Sequence, residues 1–135
     1  MNPDKRGADK VQTIDKERIL LIDDEASIIE ITRDVLERHG YSVFVASYGY
    51  EAIALYRETI PPFDLVILDV NLPDMSGEDV LARLLDINPH IRVILSSGYC
   101  LTEKTNDMKG VCQFLQKPFR IAELVKKVHD ALEKK

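Results

Sequence analysis

Long hydrophobic runs, excess basic charge and cysteine are what this sequence has least of. No apolar stretch approaches the roughly 20 residues that span a bilayer, so membrane insertion is not expected. The N-terminal MNPDKRGADK is polar and lacks the apolar core of a secretory signal. Lys and Arg number 18 against 23 Asp and Glu, a formal net charge of −5. That balance argues against a basic face and against direct nucleic-acid binding. The two cysteines, Cys100 and Cys112, lie close together with no histidine pair nearby. This disfavours a zinc site or a disulfide, and a reduced cytoplasmic protein is expected. There is no internal repeat and no low-complexity segment. What remains is 135 residues, 45% hydrophobic and 30% charged, enough for one domain with a full-sized core.

The pattern along the chain is an alternation. Residues 1–17 are charged, mixed in sign and carry Pro3 and Gly7, which reads as a flexible tail or linker ahead of a domain over 18–135. RILLID (18–23) is an apolar run of strand length. ASIIEITRDVLERHG (26–40) sets Ile28, Ile31, Val35 and Leu36 on one helical stripe and stops at Gly40. YSVFVA (41–46) is β-branched and aromatic, a strand. YEAIALYRETI (50–60) is a helix with Ile53, Tyr56 and Ile60 inward, ended by Pro61 and Pro62. DLVILD (64–69) is a third strand, GEDVLARLLDI (77–87) a helix, and IRVILSS (91–97) a fourth strand. The stretch 98–110 has few apolar anchors and supports only a short or irregular helix. VCQFLQ (111–116) is a fifth strand. FRIAELVKKVHDALEKK (119–135) is a helix with Ile121, Leu124, Val125, Val128 and Leu132 on one face. Strands alternating with helices imply a (βα)5 chain, an α/β fold with a doubly wound parallel sheet covered on both faces.

The polar residues fall where such a sheet binds ligands. The first strand ends in Asp23 and Asp24, the third in Asp69, the fourth in Ser96 and Ser97, and the fifth at Lys117 and Pro118. In an open parallel sheet these C-terminal ends share one edge. Each residue also has an ordinary reading. Asp24 could cap the following helix, the serines could make turns, and a lysine before proline is usually solvated. Three carboxylates on one edge nonetheless repel one another and raise one another's pKa. A cation among them relieves that repulsion, and oxygen donors without His or Cys favour Mg²⁺ or Ca²⁺. A lysine and a hydroxyl beside them suit a phosphoryl group.

LLIDDE (20–25), LVILDVNLPDMSG (65–77), VILSSG (93–98) and FLQKPF (114–119) together resemble the receiver domain of two-component response regulators, in order and spacing, over about residues 18–134. The resemblance implies a flavodoxin-like five-stranded sheet of order 2-1-3-4-5. It implies that Asp69 is the phosphoacceptor, taking a phosphoryl group from a phosphohistidine of a sensor histidine kinase or phosphotransfer protein. By the same resemblance Asp23, Asp24, Asp69 and the backbone carbonyl of Asn71 hold Mg²⁺ or Mn²⁺, with Asp24 the more direct ligand of the acidic pair. Ser97 is the hydroxyl that bonds the phosphorylated aspartate, with Ser96 the adjacent alternative. Lys117 pairs with the phosphoryl oxygens, across a cis Lys117–Pro118 bond, and Phe114 is the aromatic that repacks with Ser97. Pro73 and Gly77 fit the turn after the acceptor.

Two features depart from the family pattern. Gly98 stands where alanine is frequent. Tyr99 borders the site, where it would shield an acyl phosphate from water. The implied protein is not an enzyme in the ordinary sense but a phosphoacceptor that assists its own phosphotransfer and dephosphorylation. It would be a monomer or a weak, phosphorylation-dependent dimer that regulates a downstream protein. No DNA-binding or enzymatic output domain fits in this length, so a stand-alone receiver or one belonging to a longer chain such as a hybrid kinase is expected. Competing readings are a degenerate receiver acting as an interaction module, a haloacid-dehalogenase-like phosphatase and a flavodoxin-like cofactor binder. The phosphatase family places a second aspartate where Asn71 stands. The cofactor binder needs a Ser/Thr/Gly-rich loop where DDEAS stands.

Overall fold

The computed structural model describes residues 16–98 and 108–133. Five strands form one parallel sheet: β1 (Arg18–Ile22), β2 (Ser42–Ala46), β3 (Leu65–Asp69), β4 (Val93–Ser97) and β5 (Val111–Gln116), in spatial order β2-β1-β3-β4-β5. The central strands RILLI, LVILD and VILSS are nearly uninterrupted apolar runs because both sheet faces are covered. Every residue of β3 and β4 is buried, whereas the edge strands β2 and β5 are only partly so.

Alternate residues of each strand go to opposite cores, as a two-residue repeat demands. Leu20, Ile22, Val66, Leu68, Val93 and Leu95 pack under helices α2 (Gly49–Glu58) and α3 (Gly77–Ile87), against Ile53, Tyr56, Val80 and Leu84. Ile19, Leu21, Leu65, Ile67, Ile94 and Leu115 pack on the other side under α1 (Ala26–Arg38) and α4 (Ile121–Glu133), against Leu36, Leu124 and Val128. The strand order thus agrees with the doubly wound expectation, and four helices cover the sheet among the described residues. The N-terminal tail to residue 15, Tyr99, Cys100 and most of the 98–110 stretch lie outside the described residues.

Three side chains expected inward are not. Ile31 is exposed, because α1 docks on the neighbouring row, with Thr32, Val35 and Leu36 buried. Residues 31 and 32 point about 100° apart around the helix, and only the way α1 docks selects which of them is buried. Ile60 is 86% exposed because α2 ends at Glu58, and the residue before Pro61 is pushed out of the helical region. Ile121 opens α4 at the rim and is half-exposed.

Candidate functional site

The C-terminal strand ends converge as the topology requires. Asp23 follows β1 and is 2% exposed, Asp69 closes β3 and is 4% exposed, and Asp24 stands in solvent. One carboxylate oxygen from each of the three lies within 4.8 Å of the others. Asp24 does not cap α1. Glu25 holds the N-cap position there, and its side chain makes no capping bond. The ordinary reading of Asp24 therefore has no contact behind it, and its carboxylate stays available to the cluster.

Asp23 is fixed on both oxygens. Oδ1 accepts the Glu25 N–H at 3.0 Å and Oδ2 accepts Lys117 Nζ at 2.8 Å. Lys117 reaches in from the end of β5, where its N–H donates to the Ser97 carbonyl at 2.7 Å. Its ammonium also meets Glu25 Oε1 at 3.0 Å and Asp69 Oδ2 at 3.5 Å. Burial works to lower the Lys117 pKa. Its hydrogen bonds to the Asp23 and Glu25 carboxylates, with the charges of Asp23 and Asp69, outweigh it and raise the pKa overall. The opposite holds at Asp69, whose carboxyl is raised above its ordinary 3.8. Burial is the main cause and the Asp23 and Asp24 charges add to it. The Asn71 N–H, donating to Oδ1 at 3.2 Å, and Lys117 pull the other way. Asp69, Asp24, Glu25, Ile28, Asn71 and Lys117 line a crevice of about 460 Å³ open to solvent.

The loop after Asp69 is clamped. Asn71 and Ser76 pair as an antiparallel bridge, and the Gly77 N–H donates to the Val70 carbonyl at 2.7 Å. Helix α3 begins against this backbone, capped by Ser76, whose Oγ accepts the Asp79 N–H at 3.1 Å. A Cβ on Gly77 would stand 2.7 Å from Val70 Cα and 3.0 Å from the Asp69 carbonyl. Asp74 binds the loop sideways to α2, accepting the Gly49 N–H at 2.7 Å and the Tyr50 N–H at 3.0 Å.

The two serines part company. Asp69 is the register partner of Ser96, and Ser96 that of Leu115. Alternation places Ser96 on the α1/α4 side with Asp69. Ser97 falls on the α2/α3 side with Leu95 and the partly buried Phe114, which packs against that core. The Lys117–Pro118 peptide is cis, as the resemblance implies. Of the predicted site residues, Asp23, Asp24, Asp69, Asn71 and Lys117 therefore meet directly, and Ser97 and Phe114 share the adjoining sheet face. Sequence reasoning missed Glu25 as a partner of Lys117 and Asp74 as the cap of α2. The placement of Glu25 one turn residue beyond Asp23 and Asp24 was the available signal for the first. Nothing local signals the second, because it spans 25 residues.

The model of the response regulator receiver domain matches residues 19–129. The chain belongs to the receiver domain family. This receiver is 33% identical over 120 residues to sporulation initiation phosphotransferase F of Bacillus subtilis, covering 87% of this chain and 92% of that protein. It is 33% identical over 114 residues to the cell cycle transcriptional regulator CtrA of Caulobacter vibrioides, covering 83% of this chain. There the receiver spans only about half (48%) of its relative's length. Its fold matches the response regulator TrrA of Thermotoga maritima, solved with Mg²⁺ and BeF, at a TM-score of 0.75 and 30% identity, covering 86% of this chain and 99% of that one. Among the described residues, no helix is long and apolar enough to cross a membrane.

Proposed function

We propose that this receiver accepts a phosphoryl group on Asp69 from a phosphohistidine of a sensor histidine kinase or phosphotransfer protein, and that the acyl phosphate switches its surface toward a downstream partner. The observation that carries this reading is the buried Asp69 carboxylate at the floor of an open crevice, with the Lys117 ammonium at 3.5 Å. A carboxylate so placed is an in-line nucleophile, and Lys117 can follow the incoming phosphoryl oxygens.

The donor set suits a hard divalent cation. Three carboxylates offer oxygens within 4.8 Å, with no His or Cys, and Asp69 already bears the repulsion that such an ion would relieve. Asp23, Asp24, Asp69 and the Asn71 carbonyl would hold Mg²⁺ or Mn²⁺, which would supply neutralisation of phosphoryl charge. This chain's own residues do the rest. Asp69 attacks phosphorus, its carboxylate oxygen forming the new P–O bond while the histidine nitrogen leaves with its electron pair. Lys117 exchanges part of its pairing with Asp23 and Glu25 for the phosphoryl oxygens. Ser97 turns toward the new group, and Phe114, on the same sheet face, repacks into the space it leaves. On this reading the protein is a cytoplasmic phosphoacceptor that assists its own chemistry, not a turnover enzyme.

Intact mass after incubation with acetyl phosphate, with and without Mg²⁺, tests the reading. One phosphoryl group added, dependent on Mg²⁺ and lost in Asp69→Asn, is the expected result. No adduct, together with no Mg²⁺ binding, would overturn it in favour of a degenerate receiver acting as an interaction module.

A further inference from the structure

Two buried hydroxyls lack a hydrogen-bond partner among the described residues, Thr32 on α1 and Ser96 on β4. Thr32 lies on the inward face of α1, the face that buries Val35 and Leu36. Ser96 is 2% exposed and the register partner of Asp69. Alternation places it on the same side of the sheet, with Ile94 below it and Leu115 as its neighbour on β5. An unsatisfied buried hydroxyl is costly, and its one polar neighbour in the register is the Asp69 carboxylate. Asp69 has room for it. Among the described residues Oδ1 accepts only the Asn71 N–H, and Oδ2 faces Lys117 at 3.5 Å, whereas a carboxylate offers about four acceptor sites.

We infer that Ser96 is a positioning residue that shortens the life of the phosphorylated state, turning its hydroxyl to donate a hydrogen bond to Asp69 as negative charge returns to the carboxylate. The inference rests on the phosphoacceptor reading above. One χ1 step between staggered wells re-aims the Ser96 hydroxyl. A hydrogen bond to an ionised carboxylate is stronger than one to the neutral carbonyl oxygen of an acyl phosphate. Ser96 therefore stabilises Asp69 after the phosphoryl group has left more than before.

The balance of the hydrolytic step sets where this acts. A water oxygen bonds phosphorus, the bond from phosphorus to the Asp69 oxygen breaks, and its electron pair stays on the carboxylate. The water proton goes to the departing inorganic phosphate or to solvent. In a loose phosphoryl-transfer transition state the leaving oxygen already carries most of its charge, while an attacking oxygen has surrendered little. Ser96 thus accelerates release, where Asp69 is the leaving group, and barely touches uptake, where Asp69 is the nucleophile.

The test compares wild type, Ser96→Ala and Ser96→Thr. Each is phosphorylated with acetyl phosphate and Mg²⁺, stripped of donor, and followed by intact mass for both uptake and decay. Ser96→Ala should lengthen the phosphorylated lifetime about fivefold with uptake little changed, and Ser96→Thr, which keeps the hydroxyl, should decay like wild type. Equal lifetimes in wild type and Ser96→Ala would overturn the inference alone. So would a Thr variant that behaves like Ala, or uptake and decay slowed together, either of which marks a packing role. No adduct even in wild type would overturn the phosphoacceptor reading and this inference with it.

Discussion

Replacing Gly77 by alanine probes the contact on which the acceptor loop depends. The added Cβ would meet Val70 Cα at 2.7 Å, the Asp69 carbonyl at 3.0 Å and the Val70 carbonyl at 3.1 Å. All three are backbone atoms of the strand end that carries Asp69, so no flexible side chain can yield. Overpacking of this kind costs about 1–3 kcal/mol. Alanine recovers up to about 1 kcal/mol of helix propensity as the first residue of α3. The net loss is about 1–2 kcal/mol, or about 4–8 °C in Tm for a domain of this size. Because the strain is relieved only by moving Asp69 or α3, phosphoryl uptake should fall as well. Gly98→Ala is the control, since no described residue lies within 4 Å of the Cβ it would add, and its stability should stay within about 0.5 kcal/mol of wild type. Urea unfolding of the three proteins side by side measures the difference. A Gly77→Ala variant as stable as wild type, or a Gly98→Ala variant damaged more, would refute the argument from close approach.

Three further outcomes follow from the site and its supports. The native Asp69 carboxyl keeps its proton to higher pH than the unfolded chain, where it titrates near 3.8, so stability declines as pH rises through the window above that value. In divalent-free buffer Asp69→Asn should therefore resist urea better than wild type at pH 7, with the gap closing below pH 3.8. A less stable variant at pH 7 would contradict the sign. Lys117→Met leaves the buried Asp23 and Asp69 without the cation that stands 2.8 and 3.5 Å from them, which should cost about 3 kcal/mol at neutral pH and abolish uptake. Unchanged thermal stability would show that the carboxylates do not depend on it. Asp74→Ala removes the acceptor of the Gly49 and Tyr50 amides, and those two amides should exchange faster in hydrogen-exchange NMR while the β3 amides hold. Uniform protection would mean that the first turn of α2 holds without this carboxylate.

The periodicities carried most of the architecture. Continuous apolar runs in LLI, LVIL and VIL required strands covered on both faces, and the residues at the C-terminal ends of the first, third and fifth strands placed Asp23, Asp69 and Lys117 on one edge before any contact was known. That inference needs only strand direction, which a βα alternation dictates. What periodicity does not contain is how a helix docks, and so Ile31 emerged into solvent, as did Ile121 at the first position of α4. Ile60 did so for a different reason, a helix that ended two residues early under the influence of Pro61. Nor does it contain register. That Asp69 stands beside Ser96 and not Ser97, that Lys117 divides itself among Asp23, Glu25 and Asp69, and that Asp74 reaches across to cap α2 are decided by how neighbouring strands and loops align. A strand's own residues specify its two faces. Only its partner in the folded sheet decides what each polar side chain meets there, because long-range pairing leaves no trace in local spacing.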